Sequence, residues 1–580
     1  MTTTPLLDGG IGFGGLLIPA ATAAAVVTSP TVLDLPSEND AVYLVEVEAY
    51  DGVTVTATLS PDPLPLLAPY PLLAGPLLAG AIIVADQQGV TTLRWSDRGW
   101  TSAPGDSVSN VHFPGRASQP LSVQWTMPLA PDDAALMAVA ADVTIDNRDG
   151  AEDTAARYGI DGRQVVVKRG APTDAYDDFV TVFTGYGVDL TDEGGDQLHL
   201  AVRERGYTLD IPLSTRYGGT GGADGGTEVE GKPKPRLYGL CYNVSGALID
   251  VANLIFQVHD GAVSSIVVYD KGAALTFDAD YASYAALAAA VIPSNHYATC
   301  LAEGMFRLGS TPSFPVTADV NGDATAGLGD GGGFVSSPAL VVRRIMLGRG
   351  FVPYADIDHD AIMAAHVLSS GSMGVYFTED MTVAEAISLV CRGTYLRWGQ
   401  SRDGSLGVWR IAAPSVPEYA IDASHMLDEP SLSALPSSIG PCLWRVVVNY
   451  KRNWTTMGDA DIAGAVTTDQ RQFLRQAYRS TAVSDTARLT ANLQARTLTF
   501  DSLYNVEANA AALGSNMLTL FAPGRRMIEV VLPLREHVLT PLLELQLSHP
   551  RHNLTGGQNF VVTAVHEDCG ERAVTAMLFG

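Results

Sequence analysis

Residues 212–263 read PLSTRYGGTGGADGGTEVEGKPKPRLYGLCYNVSGALIDVANLIFQVHDGAV. Glycines crowd the first half (Gly218, Gly219, Gly221, Gly222, Gly225 and Gly226) and run into Lys232-Pro233-Lys234-Pro235. Leu237-Tyr238-Gly239 follows, then an apolar run from Leu248 to Val258 closed by Asp260-Gly261. Glycine frees the backbone and proline fixes it, so the predicted order is a flexible tether, a stiff spacer and a segment that must pack. This stretch divides the chain. A β-patterned region precedes it, a mixed region follows it, and a second β-patterned region ends the chain.

Upstream, Val45, Val47 and Ala49 alternate with Glu46 and Glu48, predicting a strand with one wet face in a hairpin over Ala41–Leu59 turned at Asp51-Gly52. Thr91–Ser96 continues that pattern. Leu121–Trp125, Ala140–Ile145, Gln164–Lys168, Phe179–Gly185 and Gln197–Glu204 read as further strands, with Asp146–Gly150 a turn. Near the end, Trp444–Tyr450, Arg526–Leu532, Leu543–Leu547, Phe560–Val565 and Ala573–Leu578 repeat the signal around the turn His549-Pro550-Arg551. Many short strands must hide their edges, so an antiparallel sandwich or closed barrel is expected at each end.

The region between is mixed. Tyr281–Ile292, Ser337–Leu347 and Tyr354–His366 predict helices, and Thr382 with Glu385 predicts a capping box opening Val383–Cys391. Ala302–Leu308 and Pro315–Val320 read as strands, with Asn321-Gly322-Asp323 opening a loop. Thr394–Trp398 and Leu406–Ile411 flank the hairpin turn Arg402-Asp403-Gly404, and Thr486–Ala495 is of helix length. The fold class expected is mainly β (α+β). Its expected divisions are an arm over 1–40, a β domain over 41–211, the linker 212–235, a mixed α+β insertion over 236–430 and a second β domain over 431–580.

The chain of 580 residues is long enough for several cores, and 47% apolar residues argues against wholesale disorder. A formal net charge of −27, with no basic residue before Arg94, excludes a nucleic-acid-gripping surface of the usual kind, which neutralises phosphates with Lys and Arg. Cys241, Cys300, Cys391, Cys442 and Cys569 lie far apart and form no CxxC pair, so buried free thiols are expected rather than disulfides or a zinc knuckle. Residues 1–30 carry no positive charge ahead of their apolar stretch, so no secretory signal is expected.

Pro61–Ala85 (PDPLPLLAPYPLLAGPLLAGAIIVA) is almost wholly apolar, yet Pro61, Pro63, Pro65, Pro69, Pro71 and Pro76 break it. A membrane-spanning helix needs about 20 uninterrupted apolar residues. A loop packed on a neighbouring subunit is the preferred reading, with Leu66, Leu67, Tyr70, Leu72, Leu73, Leu77 and Leu78 as subunit- or channel-interface residues. An ordinary core segment and a pore-plugging or membrane-touching segment are the alternatives.

A family resemblance rests on the central stretch. Arg216–Gly222, Gly231–Pro235, Tyr238-Gly239, Tyr242-Asn243-Val244 and Gln257–Gly261 resemble tail proteins of tailed, siphovirus-like phages of alphaproteobacteria, related to the tail hubs of gene transfer agents. Asp146–Gly150, Tyr158–Gly162, Leu301–Gly304, Arg307–Gly309, His549–Arg551 and Phe560–Val562 extend the likeness to roughly residues 90–580. The resemblance implies a tail-tip or baseplate hub, two tube-like β domains and a homotrimer whose barrels form a pseudo-sixfold ring. Implied partners are the distal tail protein, the tape measure protein and the fibre or spike proteins. Genomic DNA would pass through without specific binding, past an acidic wall that does not hold it. The implied location is the tail tip of a virion made in the bacterial host cytoplasm. Some similar hubs carry a cysteine-ligated iron–sulfur cluster; this chain lacks the clustered cysteines for one.

No catalytic set stands out, and no cofactor or metal is expected. GxSxG, HExxH and P-loop patterns are absent, and Gly9–Gly15 lacks the Lys-Ser/Thr ending of a phosphate loop. Asp319, Asn321 and Asp323 alternate like the start of a calcium loop, but the glycine is misplaced and Asp330 stands where Glu is needed, so a polar turn is expected. His537, His549, His552 and His566 are expected as surface or interface residues. The competing functional class is a tail-associated glycan-binding or cell-wall-hydrolysing protein.

Overall fold

The computed structural model describes residues 31–32, 41–50, 89–133, 135–192, 194, 196–534 and 539–580. Its largest element is a 14-stranded sheet drawing strands from both ends of the chain. Along its main path, Thr31–Val32 lies parallel to Tyr419–Asp422, which lies parallel to Glu544–His549. The path then runs antiparallel through Leu554–Asp568, Ala117–Thr126, Ala138–Asp146, Gln197–Arg203, Val180–Asp192, Gln164–Gly170 and Val42–Tyr50 to the edge strand Val90–Ser96. Ala573–Phe579, Met527–Pro533 and Ser431–Ser433 form a branch on the other edge of Leu554–Asp568.

Leu554–Asp568 is the hinge of this arrangement. Its first half pairs with Glu544–His549, and Ala564–Asp568 pairs on to Thr126–Ser122. The two β-patterned regions therefore share one sheet and one apolar core, in which Val45, Val143 and Val202 pack in the same cluster as Ile528, Val565 and Leu578. The mainly-β, α+β fold class is as expected. The sheets do not close into a barrel: among the described residues the main path ends at Thr31–Val32 and Val90–Ser96, which do not pair with each other.

Alternation sets the faces. Val45, Val47 and Ala49 are buried while Glu48 is exposed, as the period of two requires. Val42 and Leu44 are buried as well, on the opposite face, because Trp100, Phe113, Tyr176 and Phe179 cover it. The hairpin partner of Val42–Tyr50 is Val90–Ser96, joined in antiparallel register from Leu44↔Ser96 to Tyr50↔Val90. The turn expected at Asp51-Gly52 and the strand after it lie outside the described residues, as do Leu66, Leu67, Tyr70, Leu72, Leu73, Leu77 and Leu78.

Two five-stranded sheets fill the middle: Ala273–Ala274, Val263–Asp270, Val316–Asp323, Arg236–Val244 and Gly374–Phe377 in one, and Ala247–Asp250, Ile255–Gln257, Met305–Leu308, His296–Cys300 and Thr276–Asp280 in the other. A helical layer of Pro338–Gly348, His359–Leu368 and Val383–Arg392 packs with the hairpin Arg397–Gln400/Leu406–Trp409. The capping box holds: Thr382 N–H donates to Glu385 Oε2 (2.8 Å) and Glu385 N–H to Thr382 Oγ1 (3.2 Å). Farther on, Arg479–Ser484, Leu443–Tyr450 and Arg496–Asp501 make a three-stranded sheet covered by the helix Glu507–Leu520.

Several expectations differ from the structure. Asn321-Gly322-Asp323 does not open a loop: the strand continues to Asp323, which pairs with Val263. Gly322 permits this, since a Cβ there would lie 2.4 Å from Leu237 Cδ2. The helix over 486–495 shrinks to Ala487–Ala491. The helix Glu507–Leu520 carries no side-chain N-cap and a central Gly514, the two features that hide it from pattern reading. That glycine lets the helix settle on the sheet, since a Cβ would stand 3.3 Å from Val448 Cγ2 and 3.4 Å from Val483 Cγ2.

Candidate assembly face and buried polar joint

The motifs of the central stretch converge on one buried polar joint. The glycine segment folds back on itself: Tyr217 N–H donates to Lys232 O (3.0 Å), Gly231 N–H to Tyr217 O (2.9 Å) and Lys234 N–H to Thr215 O (2.8 Å). Buried Tyr217 donates from its hydroxyl to Gln257 Oε1 (2.7 Å). What reads as a tether is therefore a hydrogen-bonded loop. Gly239 then lets two backbones touch, because with φ +71° a Cβ would sit 2.1 Å from Met373 O.

His259 lies at the centre and is fully buried. Its Nδ1 accepts from Leu237 N–H (2.9 Å), so the proton of the neutral ring sits on Nε2, 3.4 Å from Asp323 Oδ2. Burial lowers the His259 pKa and keeps the ring neutral. Asp323 also accepts from Arg344 Nη1 (3.0 Å), and Arg344 Nε donates to Asp330 Oδ2 (2.5 Å). Burial pushes the Asp323 carboxyl up, but hydrogen bonds from His259, Thr325 N–H and Arg344 outweigh it and hold the pKa below the usual range. Beside this cluster Arg236 Nη2 and Thr215 Oγ1 both donate to Asp260 Oδ2 (2.8 Å each). These contacts tie the central stretch to the helix Pro338–Gly348.

A second polar joint ties the hairpin to the large sheet. Arg402 Nη1 donates to Glu567 Oε2 (2.9 Å), and its guanidinium lies 4.4 Å from the Trp125 ring centre. Gln400 Nε2 donates to Thr184 O (2.6 Å), and Thr184 N–H to Arg402 O (3.0 Å). The turn Arg402-Asp403-Gly404 is therefore a docking element of the fold. A cleft of about 220 Å³ beside it is lined by Trp125, Met137, Asp358, Arg402 and Trp409.

The outward face of the large sheet is polar where its two halves meet. Gln119 Nε2 donates to Asp568 Oδ2 (3.0 Å), Ser122 Oγ meets His566 Nε2 (3.3 Å), and Thr144 Oγ1 meets His199 Nδ1 (3.3 Å). Asp142 stands on the same face; desolvation raises its carboxyl pKa, and the nearby Asp568 charge adds to that. Among the described residues the sheet ends at Thr31–Val32, Val90–Ser96 and, on its branch, Ser431–Ser433.

Residues singled out for chemistry disperse. Asp319 accepts from Asn243 N–H (2.8 Å) and Tyr269 Oη (3.0 Å), Asn321 donates to Ser265 Oγ (2.9 Å), and Asp323 serves the joint; no calcium loop forms. His552 Nε2 meets Pro430 O (2.9 Å) and His549 Nδ1 accepts from Arg551 N–H (3.1 Å), whereas His537 lies outside the described residues. No group of three metal-capable side chains occurs among the described residues. All five cysteines are buried, and no disulfide joins any of them. Glu204, read in the sequence as the last residue of an alternating strand, stands just past the strand Gln197–Arg203 as a half-buried carboxyl, and desolvation alone raises it to about 7.

No protein-family model matches this chain, and no curated protein matches it in sequence. Solved structures similar to it include the tail protein from Neisseria meningitidis MC58, at 10% identity over 83% of this chain and 96% of that one, with a TM-score of 0.37. The 43 kDa tail protein of prophage MuSo2 from Shewanella oneidensis is similar at 9% identity over 81% of this chain and 95% of that one, TM-score 0.31. A chain in the virion of a native gene transfer agent particle is similar at 15% identity over 60% of this chain and 84% of that one, TM-score 0.38. At this distance none of them assigns a role to this chain.

Proposed function

We propose that the chain is a structural protein of a phage-type tail, the hub at the tail tip, built as a trimer that joins the distal tail ring to the fibre or spike and bounds the DNA exit. The observation that carries the proposal is the large sheet, which draws on both ends of the chain and, among the described residues, ends at Thr31–Val32 and Val90–Ser96 without closing. An exposed edge is a template for pairing, so a wide sheet of this kind suits completion by neighbouring copies or ring partners. The family resemblance of the sequence supplies the biological setting.

The chemistry of the face agrees with this role. A net charge of −27 and an outward surface carrying Asp142 and Asp568 favour DNA sliding past without adhesion. The motif residues pair internally at the His259 joint, as expected of a scaffold that must hold its shape. The distal tail, tape measure and fibre or spike proteins are the proposed partners, and the chain assembles from the cytoplasm of the bacterial host.

Gold labelling of a C-terminal tag on assembled tailed particles, viewed by electron microscopy, tests this reading. Label confined to the tail tip is expected. Label along the tail shaft or on the capsid, or particles lacking the chain, would refute it.

A further inference from the structure

The helix His359–Leu368 is apolar on its outward side as well as its inward one. Ile362 and Ala365 are buried, while Met363 is 44% exposed, Val367 73% and Leu368 53%. His359, Met363 and Val367 follow one another at intervals of four, one stripe along the helix. The stripe extends past the first turn through Tyr354, 47% exposed, whose ring stacks on His359 at 3.8 Å. An exposed apolar stripe of this kind marks an interface.

At the other end of the stripe lies a cation that meets no carboxylate among the described residues. Arg410 donates from Nη1 to Leu368 O, the last turn of the helix, and its Nη2 is buried with no hydrogen-bond partner. The groups acting on its charge are Tyr504 and Tyr395, neither of them a carboxylate. A cleft of about 120 Å³ opens there, lined by Leu368, Tyr395, Arg410, Ile411, Asn516 and Thr519. Arg344 and Arg402 meet acids, Asp323 and Asp330 for the first and Glu567 for the second, whereas the buried Arg397 donates to the backbone carbonyls of Pro128, Leu396 and Ala130.

We propose that this stripe and cleft receive the segment Pro61–Asp86 of a neighbouring copy, its leucines along Tyr354, Met363 and Val367, with Asp62 or Asp86 on Arg410. Charge and polarity match on both counts. The segment is apolar, its only charges are those two carboxylates, and it contains no lysine or arginine. Its position points to another copy. Residues 51–88 leave from Tyr50 and return at Gly89, at the pair of strands that ends the large sheet among the described residues, where the proposed assembly places a neighbour. At about 3.3 Å per extended residue the middle of that stretch can reach on the order of 60 Å. The inference rests on the assembly reading above for the neighbour and on the stripe and Arg410 for the seat.

Disulfide trapping in the full chain tests it. One preparation carries Leu73→Cys and another Val367→Cys; the native thiols are buried. Mixed, assembled and oxidised, the two should give a cross-linked pair of chains. Adding Met363→Asp and Arg410→Gln to the second chain should lower the yield roughly tenfold. Light scattering on the same sample separates the two ideas. An oligomer without the cross-link overturns this inference and leaves the assembly reading standing, whereas a chain that gives no cross-link and stays a monomer even with the proposed ring partners overturns both. A chain carrying both cysteines that closes on itself also overturns the inference, since the seat would then be filled from within one copy.

Discussion

Arg344 and Arg410 belong to the same helical region and meet opposite circumstances. Arg344 sits in the joint below Pro338–Gly348 with Asp323 and Asp330 within hydrogen-bond distance. Arg410 closes the far end of His359–Leu368 and, among the described residues, meets a carbonyl and two tyrosines but no carboxylate. Where the counter-charge is internal, the arginine holds the fold together. Where none is supplied, the buried charge carries a cost that an anion brought by a partner would relieve. The difference separates a joint that stabilises from a seat that waits for a partner.

The largest effect is expected at the joint. Asp323→Ala leaves Arg344 buried with half its counter-charge and should destabilise by about 3–5 kcal/mol in chemical denaturation. A loss under about 1 kcal/mol would show that the joint contributes little. Gly239→Ala comes next: with φ +71° and Met373 O 2.1 Å from the added Cβ, two strands must separate. A cost of at least about 2 kcal/mol is expected, and a neutral result would contradict the close backbone approach. Arg410→Met sharpens the contrast from the other side. It removes one hydrogen bond and one unpaired charge, so stability should change by less than about 1 kcal/mol. A loss as large as that of Asp323→Ala would mean Arg410 is a structural cation like Arg344.

Glu204 is a third desolvated ionisable group, a half-buried acid with no cation acting on it among the described residues. Its folded pKa of about 7 lies above the ordinary 4.5. Its stabilising contribution is therefore complete below pH 4.5 and is lost as pH rises through about 7. Glu204→Gln should flatten that part of the stability profile; an unchanged slope would place the titration elsewhere. The smallest effect is expected at the exposed pair Arg116–Asp149, where Asp149→Asn should leave the denaturation midpoint within measurement error.

Much of the fold was legible because single strands and helices obey local rules. Val45, Val47 and Ala49 announced their face by alternation, and Thr382 with Glu385 announced the start of a helix. What escaped depended on distant partners. Leu554–Asp568 reads as an ordinary strand, and nothing local says that Ala564–Asp568 pairs with Ser122–Thr126 and joins the two halves. Gly514 reads as a helix breaker until Val448 and Val483 stand beneath it. The same holds for the functional features. The motif residues Tyr238, His259 and Asp260 stood out in the sequence, but that they form a buried joint depends on Asp323 and Arg344 from later elements. Arg410 gave no signal, because what distinguishes it is the lack of an acid nearby in space.

The mass of the purified chain in solution, measured by light scattering across a concentration series and again with its proposed ring partners, tests the central claim most directly. A trimer near three times 61.2 kDa, or a ring formed with those partners, is predicted. A monomer that persists in both settings would contradict it, and the open sheet would then need another explanation.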